Sequence, residues 1–242
     1  MFLSFYDYYS TYIAIIVPCI IFATIISGYM KLVIKKYESI DTTCGYTGYE
    51  LANAILRSND LNNVAVVKID GVLTDNYTPT GGGVVSLSHS VYHGISVAAI
   101  GIAAHECGHA VQHKERYLPY LVRSAIVPVV NFASKISIPL ILIGFVLSYY
   151  SYTYSLGDSL ISIGIILYAS SAVFLLVTLF VEINASNRAY RILSNSGFFT
   201  KEELRGVRQV LIAAGLTYFS ALVVSLAHLL RMVIIFGRRR SK

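Results

Sequence analysis

Residues 105–109 read His-Glu-Cys-Gly-His. On a helix, residues four apart share a face with side chains about 5–6 Å apart, so His105 and His109 can offer two imidazoles to one zinc ion. Glu106 is offset from that pair and can reach a water at the metal rather than the metal itself. Zinc lowers the pKa of such a water from 15.7 to about 7. Glu106 would take the proton as the water attacks a peptide carbonyl, then deliver one to the leaving amine. The plainer alternative is a helix with two partly exposed histidines. It does not explain why the pattern closes an apolar stretch, residues 95–104, where such groups are costly unless paired or metal-bound.

A catalytic zinc needs a third protein ligand and one open position. His113 continues the face of His105 and His109 but lies about 12 Å from His105 along the axis, so it cannot share their ion on an intact helix. It reads as a solvated or interfacial histidine. Glu182 is the better candidate, in Val181-Glu182-Ile183-Asn184-Ala185-Ser186-Asn187-Arg188-Ala189. It closes an apolar run with no Lys or Arg within four residues, and such a carboxylate needs a cationic partner, of which zinc is one. An ordinary ion pair with Arg188 or Lys201 is the alternative. Tyr218, Arg188 and His228 are all open as donors to a transition-state oxyanion. Cys107 falls on the far face, as packing.

The elements that must hold these groups belong to a charge-poor chain. Of its 242 residues 55% are hydrophobic and 13% charged, with mean hydropathy +0.64; soluble domains carry about 25% charged residues. This argues against a soluble enzyme, a disordered chain or a fibrous one, and for an integral membrane protein. The net charge of +6 does not point to nucleic acid. Lys31, Lys35 and Lys36 follow one apolar run and Arg238, Arg239 and Arg240 another, as at membrane edges facing anionic lipid. Cys19, Cys44 and Cys107 show no pairing pattern, so no disulfide framework is expected.

Four apolar runs, residues 12–30, 127–149, 159–181 and 209–230, are each long enough to cross a hydrocarbon core about 30 Å thick. The first reads as an uncleaved span with its N-terminus outside, because its charges follow rather than precede it. Residues 150–158 lack Lys and Arg and carry Tyr150, Tyr152 and Tyr154, as in an outer loop with an interfacial belt; the chain has no Trp to share that role. Basic flanks place residues 31–126 and 182–208 in the cytoplasm. Arg238–Arg240 oppose this scheme, so either the fourth run stops short of crossing or the charge rule yields there. The expected order is a transmembrane helix at 8–33, an α+β unit at 37–118, a transmembrane hairpin at 124–181, a cytoplasmic helical segment at 182–208 and a fourth transmembrane helix at 209–236.

Within 37–118, Thr47 and Glu50 have capping-box spacing ahead of Leu51, Ala54 and Ile55. Residues 63–69 (NVAVVKI) are β-branched and read as a strand; Gly81, Gly82 and Gly83 form a turn into a second strand at 84–87. The glycine triplet lacks the Lys-Ser/Thr or the strand-to-helix setting of a phosphate loop.

Four segments resemble the bacterial membrane zinc metallopeptidases of the YugP type: residues 73–79 (LTDNYTP), 84–112 (VVSLSHSVYHGISVAAIGIAAHECGHAVQ), 181–190 (VEINASNRAY) and 211–222 (LIAAGLTYFSAL). The plan is similar to that of HtpX-type and prenyl-protein-processing membrane metalloproteases. The resemblance implies His105 and His109 as zinc ligands, Glu106 as catalytic base and Glu182 as third ligand. Two positions depart from the related patterns. Asn76 and Thr78 stand where the family has His and Asp. Ser186 stands where the HtpX type has an Asp, so a carboxylate behind the ligands must come from elsewhere, with Asp75 the candidate.

The expected fold is therefore a mainly α membrane protein of about four transmembrane helices with a small α+β, gluzincin-type cytoplasmic unit carrying HExxH on a helix. The expected function is a zinc-dependent membrane endopeptidase with one zinc per chain and its site facing the cytoplasm. Its expected partners are a protein or peptide substrate, membrane-associated substrates included, and the lipid bilayer, with no nucleic acid. Substrate would bind extended, adding to the strand at 84–87. The rival is a non-catalytic scaffold or assembly factor keeping a structural zinc. A transporter is a third reading, which would require ionisable groups at span centres, where only His228 and Lys135 come near.

Overall fold

The structure is a computed structural model that describes residue 10 and residues 12–237. Asp7 and Arg238–Arg240 lie outside the described residues. In chain order the elements are α1 (Val17–Glu38, preceded by a π turn at Tyr12–Ile16), α2 (Gly48–Ser58), β1 (Ala65–Ile69), β2 (Asn76–Thr78), β3 (Val84–Ser88), α3 (His89–Tyr92), α4 (Val97–Lys114), α5 (Leu118–Leu147), α6 (Tyr154–Ser196) and α7 (Lys201–Gly237).

Among the described residues, four helices are long and apolar enough to cross a membrane: Tyr12–Glu38, Leu118–Leu147, Tyr154–Ser196 and Lys201–Phe236. They expose large apolar side chains such as Ile25, Leu142 and Ile166, which is stable in lipid and costly in water. The 43 residues of α6 extend about 65 Å, roughly twice the thickness of a hydrocarbon core. The helix runs unbroken through Glu182.

The described chain forms two compact units. One comprises Val122–Thr178 with the flanking stretches through Ile25 and from Tyr218 onward. Inside it the Ser134 and Ser171 hydroxyls lie 2.7 Å apart between α5 and α6, and the Arg231 guanidinium sits 4.9 Å from the Tyr12 ring centre.

The other unit comprises Ile26–Leu121 and Leu179–Thr217. The Thr47–Glu50 capping box is present: the Thr47 hydroxyl accepts from the Glu50 amide at 3.2 Å, and the Glu50 carboxylate accepts from the Thr47 amide at 2.9 Å. It satisfies two amides that the first turn of α2 would otherwise leave bare. Helix α4 starts at Ser96, whose side chain accepts from Ala99 N at 3.2 Å. Helix α4 is apolar almost all round because it is enclosed. Ile100, Ala103, Cys107 and Ala110 pack in one core with Leu51 and Ile55 of α2, Val85 and Leu87 of β3, Leu193 of α6 and Val207 of α7. Each fully buried Leu, Ile or Val there contributes roughly 1.5–3 kcal/mol relative to exposure. Cys107 Sγ contacts Ala52 O at 3.7 Å, in keeping with its expected packing role.

The sheet has the order β1-β3-β2. Strand β3 pairs in parallel with β1 (Ala65 opposite Val84, Ile69 opposite Ser88) and antiparallel with β2 (Asn76 opposite Ser86, Thr78 opposite Val84). The expected strands at 63–69 and 84–87 correspond to β1 and β3. Strand β2 was not foreseen, and it changes one expectation. Over residues 84–86 β3 has a neighbour on each side, so a substrate cannot extend the sheet there. The free edges belong to β1 and β2.

Candidate metal centre

Helix α4 presents His105 and His109 one turn apart, ring centres 4.8 Å from each other and nearly perpendicular at 85°. Glu182 arrives from α6. Its Oε2 lies 3.1 Å from His105 Nε2 and 3.5 Å from His109 Nε2, and one ligand atom from each of the three residues falls within 4.8 Å of the others. At zinc–ligand lengths of about 2.0–2.1 Å, tetrahedral neighbours stand about 3.4 Å apart. The two distances to Glu182 therefore suit a shared small cation, and a two-histidine, one-carboxylate set is zinc's chemistry. Glu182 is 2% exposed and His109 is 7% exposed, so the charge of the carboxylate is poorly solvated and needs a cation or a proton beside it.

Close approach of α6 to α4 makes this possible, and Gly108 permits it. A Cβ at Gly108 would stand 2.7 Å from the Ala185 carbonyl oxygen, inside van der Waals contact. Gly108→Ala should therefore push α6, and Glu182 with it, off the histidines. The expected cost is about 1–3 kcal/mol, as for other overpacked contacts. A lowered Tm together with weaker zinc binding would show it; a variant normal in both would refute this role for Gly108.

The far nitrogens of both imidazoles are also held. His105 Nδ1 lies 3.2 Å from the Ser186 hydroxyl, and His109 Nδ1 lies 2.9 Å from Gln112 Oε1. Gln112 is fully buried, and its amide nitrogen donates to Val181 O at 2.8 Å and Asn184 Oδ1 at 2.9 Å. Asn184 Oδ1 also accepts from Arg188 Nε at 2.7 Å, and Arg188 Nη1 donates to Glu115 Oε2 at 2.6 Å. Direction follows from the end of this chain. A guanidinium only donates, so Asn184 turns its oxygen to Arg188 and Gln112 turns its nitrogen to Asn184. Gln112 Oε1 then faces His109, whose Nδ1 must donate, leaving the Nε2 lone pair toward Glu182 as a metal ligand requires. Gln112→Ala should weaken zinc binding by roughly 10–100-fold, measurable by competition with a chromogenic chelator. Unchanged affinity would show that His109 needs no such partner.

Sequence reasoning missed Gln112, Asn184 and Ser186. The available signals were positional: Gln112 is three residues from His109 and Ser186 four from Glu182, both spacings that meet on a helix surface. The role offered to Asp75 is corrected. Its carboxylate accepts from Ser88 N at 2.7 Å and Ser88 Oγ at 3.1 Å, while Ser186 itself occupies the place behind His105. Burial pushes the Asp75 pKa up, against the Ser88 hydrogen bonds that lower it.

Burial is also the main reason that Glu106, 7% exposed, has a raised pKa; His105 and His109 pull it down, while Glu182 and Asp75 add to the rise. A carboxyl whose pKa is raised in this way is a stronger base than an ordinary glutamate, which suits it to accept a proton and return it. Burial opposes charge on His109. The hydrogen bond from His109 to Glu182 and the charges of Glu106 and Glu182 outweigh it, so the His109 pKa is raised. The cluster thus draws positive charge, a proton when no metal is bound, as a cation site should.

His113 lies 2.9 Å from the Tyr77 hydroxyl, tying α4 to β2 and away from the three ligand atoms. Arg188 is occupied by Asn184 and Glu115, with the Tyr117 ring 5.9 Å away. Tyr218 and His228 belong to the other compact unit.

Comparisons agree in kind with this centre. A family profile described as "Putative neutral zinc metallopeptidase" matches residues 12–237. A Bacillus subtilis (strain 168) protein named "Putative membrane protease YugP" is 46% identical over 209 residues, covering 86% of this chain and 88% of that protein. No solved structure matches the chain.

Proposed function

We propose, for a chain that belongs to the "Putative neutral zinc metallopeptidase" family, that it is a zinc-dependent integral-membrane endopeptidase. The observation that carries the reading is the convergence of His105, His109 and Glu182 beside the buried carboxyl of Glu106. His105 and His109 through Nε2, and Glu182 through its carboxylate, would hold one zinc at this site. Zinc, when bound, supplies a Lewis acid that polarises the scissile carbonyl and makes water a competent nucleophile at neutral pH. Glu106 takes the proton from the attacking water and returns one to the leaving amine. Gln112 and Ser186 keep the two imidazoles in the ligating orientation. An extended peptide binds along the outer edge of β2, the strand that Tyr77 ties to α4, by main-chain pairing.

The basic residues Lys31, Lys35 and Lys36 after the first span support a cytoplasmic location for the site in a multi-pass cell-membrane protein. The carrying test is metal content. Protein purified without added metal should hold one zinc per chain, and removing it with a chelator should stop cleavage of an unfolded membrane-protein substrate. Cleavage that continues in zinc-free protein would refute the reading.

A further inference from the structure

We propose that His89 and His93 form a second divalent-metal site on the surface of the α+β unit, taking a borderline transition ion such as Zn2+, Ni2+ or Cu2+ through one nitrogen of each imidazole, with water completing the shell. The two residues have the four-residue spacing of His105 and His109. Their ring centres are 4.9 Å apart, against 4.8 Å for the candidate catalytic pair. Imidazole is the ligand that these ions share, and affinity among them follows the order Zn2+ below Cu2+.

What differs between the pairs is what surrounds the nitrogens. Those of His105 and His109 are engaged by Ser186, Gln112 and Glu182. His113 is engaged by Tyr77. Among the described residues no hydrogen bond or ion pair engages a ring nitrogen of His89 or His93, and both side chains are exposed. An ion can therefore reach both without displacing a protein partner or being stripped of all its water.

The backbone beneath them is fixed. His93 N donates to His89 O at 3.3 Å, closing the turn. On the opposite side α3 presses on α2 so closely that a Cβ at Gly48 would lie 2.2 Å from the Val91 carbonyl oxygen. Tyr92, between the two histidines in sequence, stacks on Tyr49 with ring centres 4.7 Å apart. The imidazoles thus stand on a platform that binding need not order, which lowers the cost of chelation. Two protein ligands and no buried carboxylate make the site weaker than the His105–His109–Glu182 centre. Its existence does not depend on that centre being catalytic.

The test is a zinc titration of the untagged full chain in detergent, by calorimetry and equilibrium dialysis. Wild type should take up two equivalents, one tight and one weaker. His89→Asn/His93→Asn should lose only the weaker, and either single substitution should weaken it at least tenfold, about 1.4 kcal/mol. Retention of the tight equivalent reports that each variant is folded. In wild type, adding the second equivalent should protect His89 and His93 from acylation by diethylpyrocarbonate, which needs no substitution. The proposal falls if, up to millimolar zinc, wild type binds no equivalent that His89→Asn/His93→Asn removes, or if neither histidine is protected. A wild type that binds only the weaker, His89-dependent equivalent would uphold this site and overturn the endopeptidase reading.

Discussion

Glu106→Gln is expected to reduce peptide hydrolysis by roughly 10²–10⁴-fold, the usual contribution of a positioned acid–base group, while zinc content stays at one per chain. Glutamine has nearly the shape of glutamate, so the packing around this 7%-exposed side chain is kept. It cannot accept and return a proton. His105, His109 and Glu182 supply the three ligand atoms, and none of them is altered. Loss of activity with metal retained is the signature of a base. The opposite result also decides something: undiminished cleavage would exclude Glu106 from the chemistry. Unimpaired cellular function in this variant would favour the scaffold with structural zinc, for which His109→Ala, not Glu106→Gln, should be the damaging change.

Glu182→Ala should do the reverse and remove the metal. Substitutions behind metal ligands weaken binding about 10–100-fold, so loss of a direct ligand should exceed a hundredfold, with activity falling in step. Zinc analysis after dialysis against a weak chelator reads this directly; a full equivalent in the alanine variant would disprove ligation by Glu182. A second readout follows from protons. Without metal, Glu182 and Glu106 hold the His109 pKa above that of an ordinary imidazole despite burial. A raised folded-state pKa contributes stability that is complete below the ordinary histidine value and lost as pH rises through the folded value. Metal-free wild type should therefore gain more Tm between pH 8 and pH 5.5 than metal-free Glu182→Ala. Equal gains would show that the carboxylate does not hold His109 charged.

Much of this protein was legible without coordinates because it depends on local periodicity. Apolar runs of membrane length need no partner to be recognised, since the bilayer acts on each run separately, and the described residues include four such helices. The His105–His109 pair follows from helix pitch alone. The Thr47–Glu50 cap is decided within one turn. Strand β2 is not legible in the sequence because three residues, Asn76–Thr78, are too few for an alternation to register, and without β2 the strand at 84–87 reads as an edge.

Glu182 was reachable from sequence because a carboxylate ending an apolar run lacks a local reason to be there. Its geometry was not. It is 77 residues from His105, and its distance from the histidines depends on how closely α6 can pass α4 over Gly108. The same nonlocal approach chose Ser186 over Asp75 behind His105, and aligned Arg188, Asn184 and Gln112 so that His109 has one donor direction. Local spacing thus determined which residues could bind a metal and that they belong to a membrane protein. Only the tertiary contact between two helices decided their mutual distances and the orientation of each imidazole, because a hydrogen bond's partner is set by which surfaces meet.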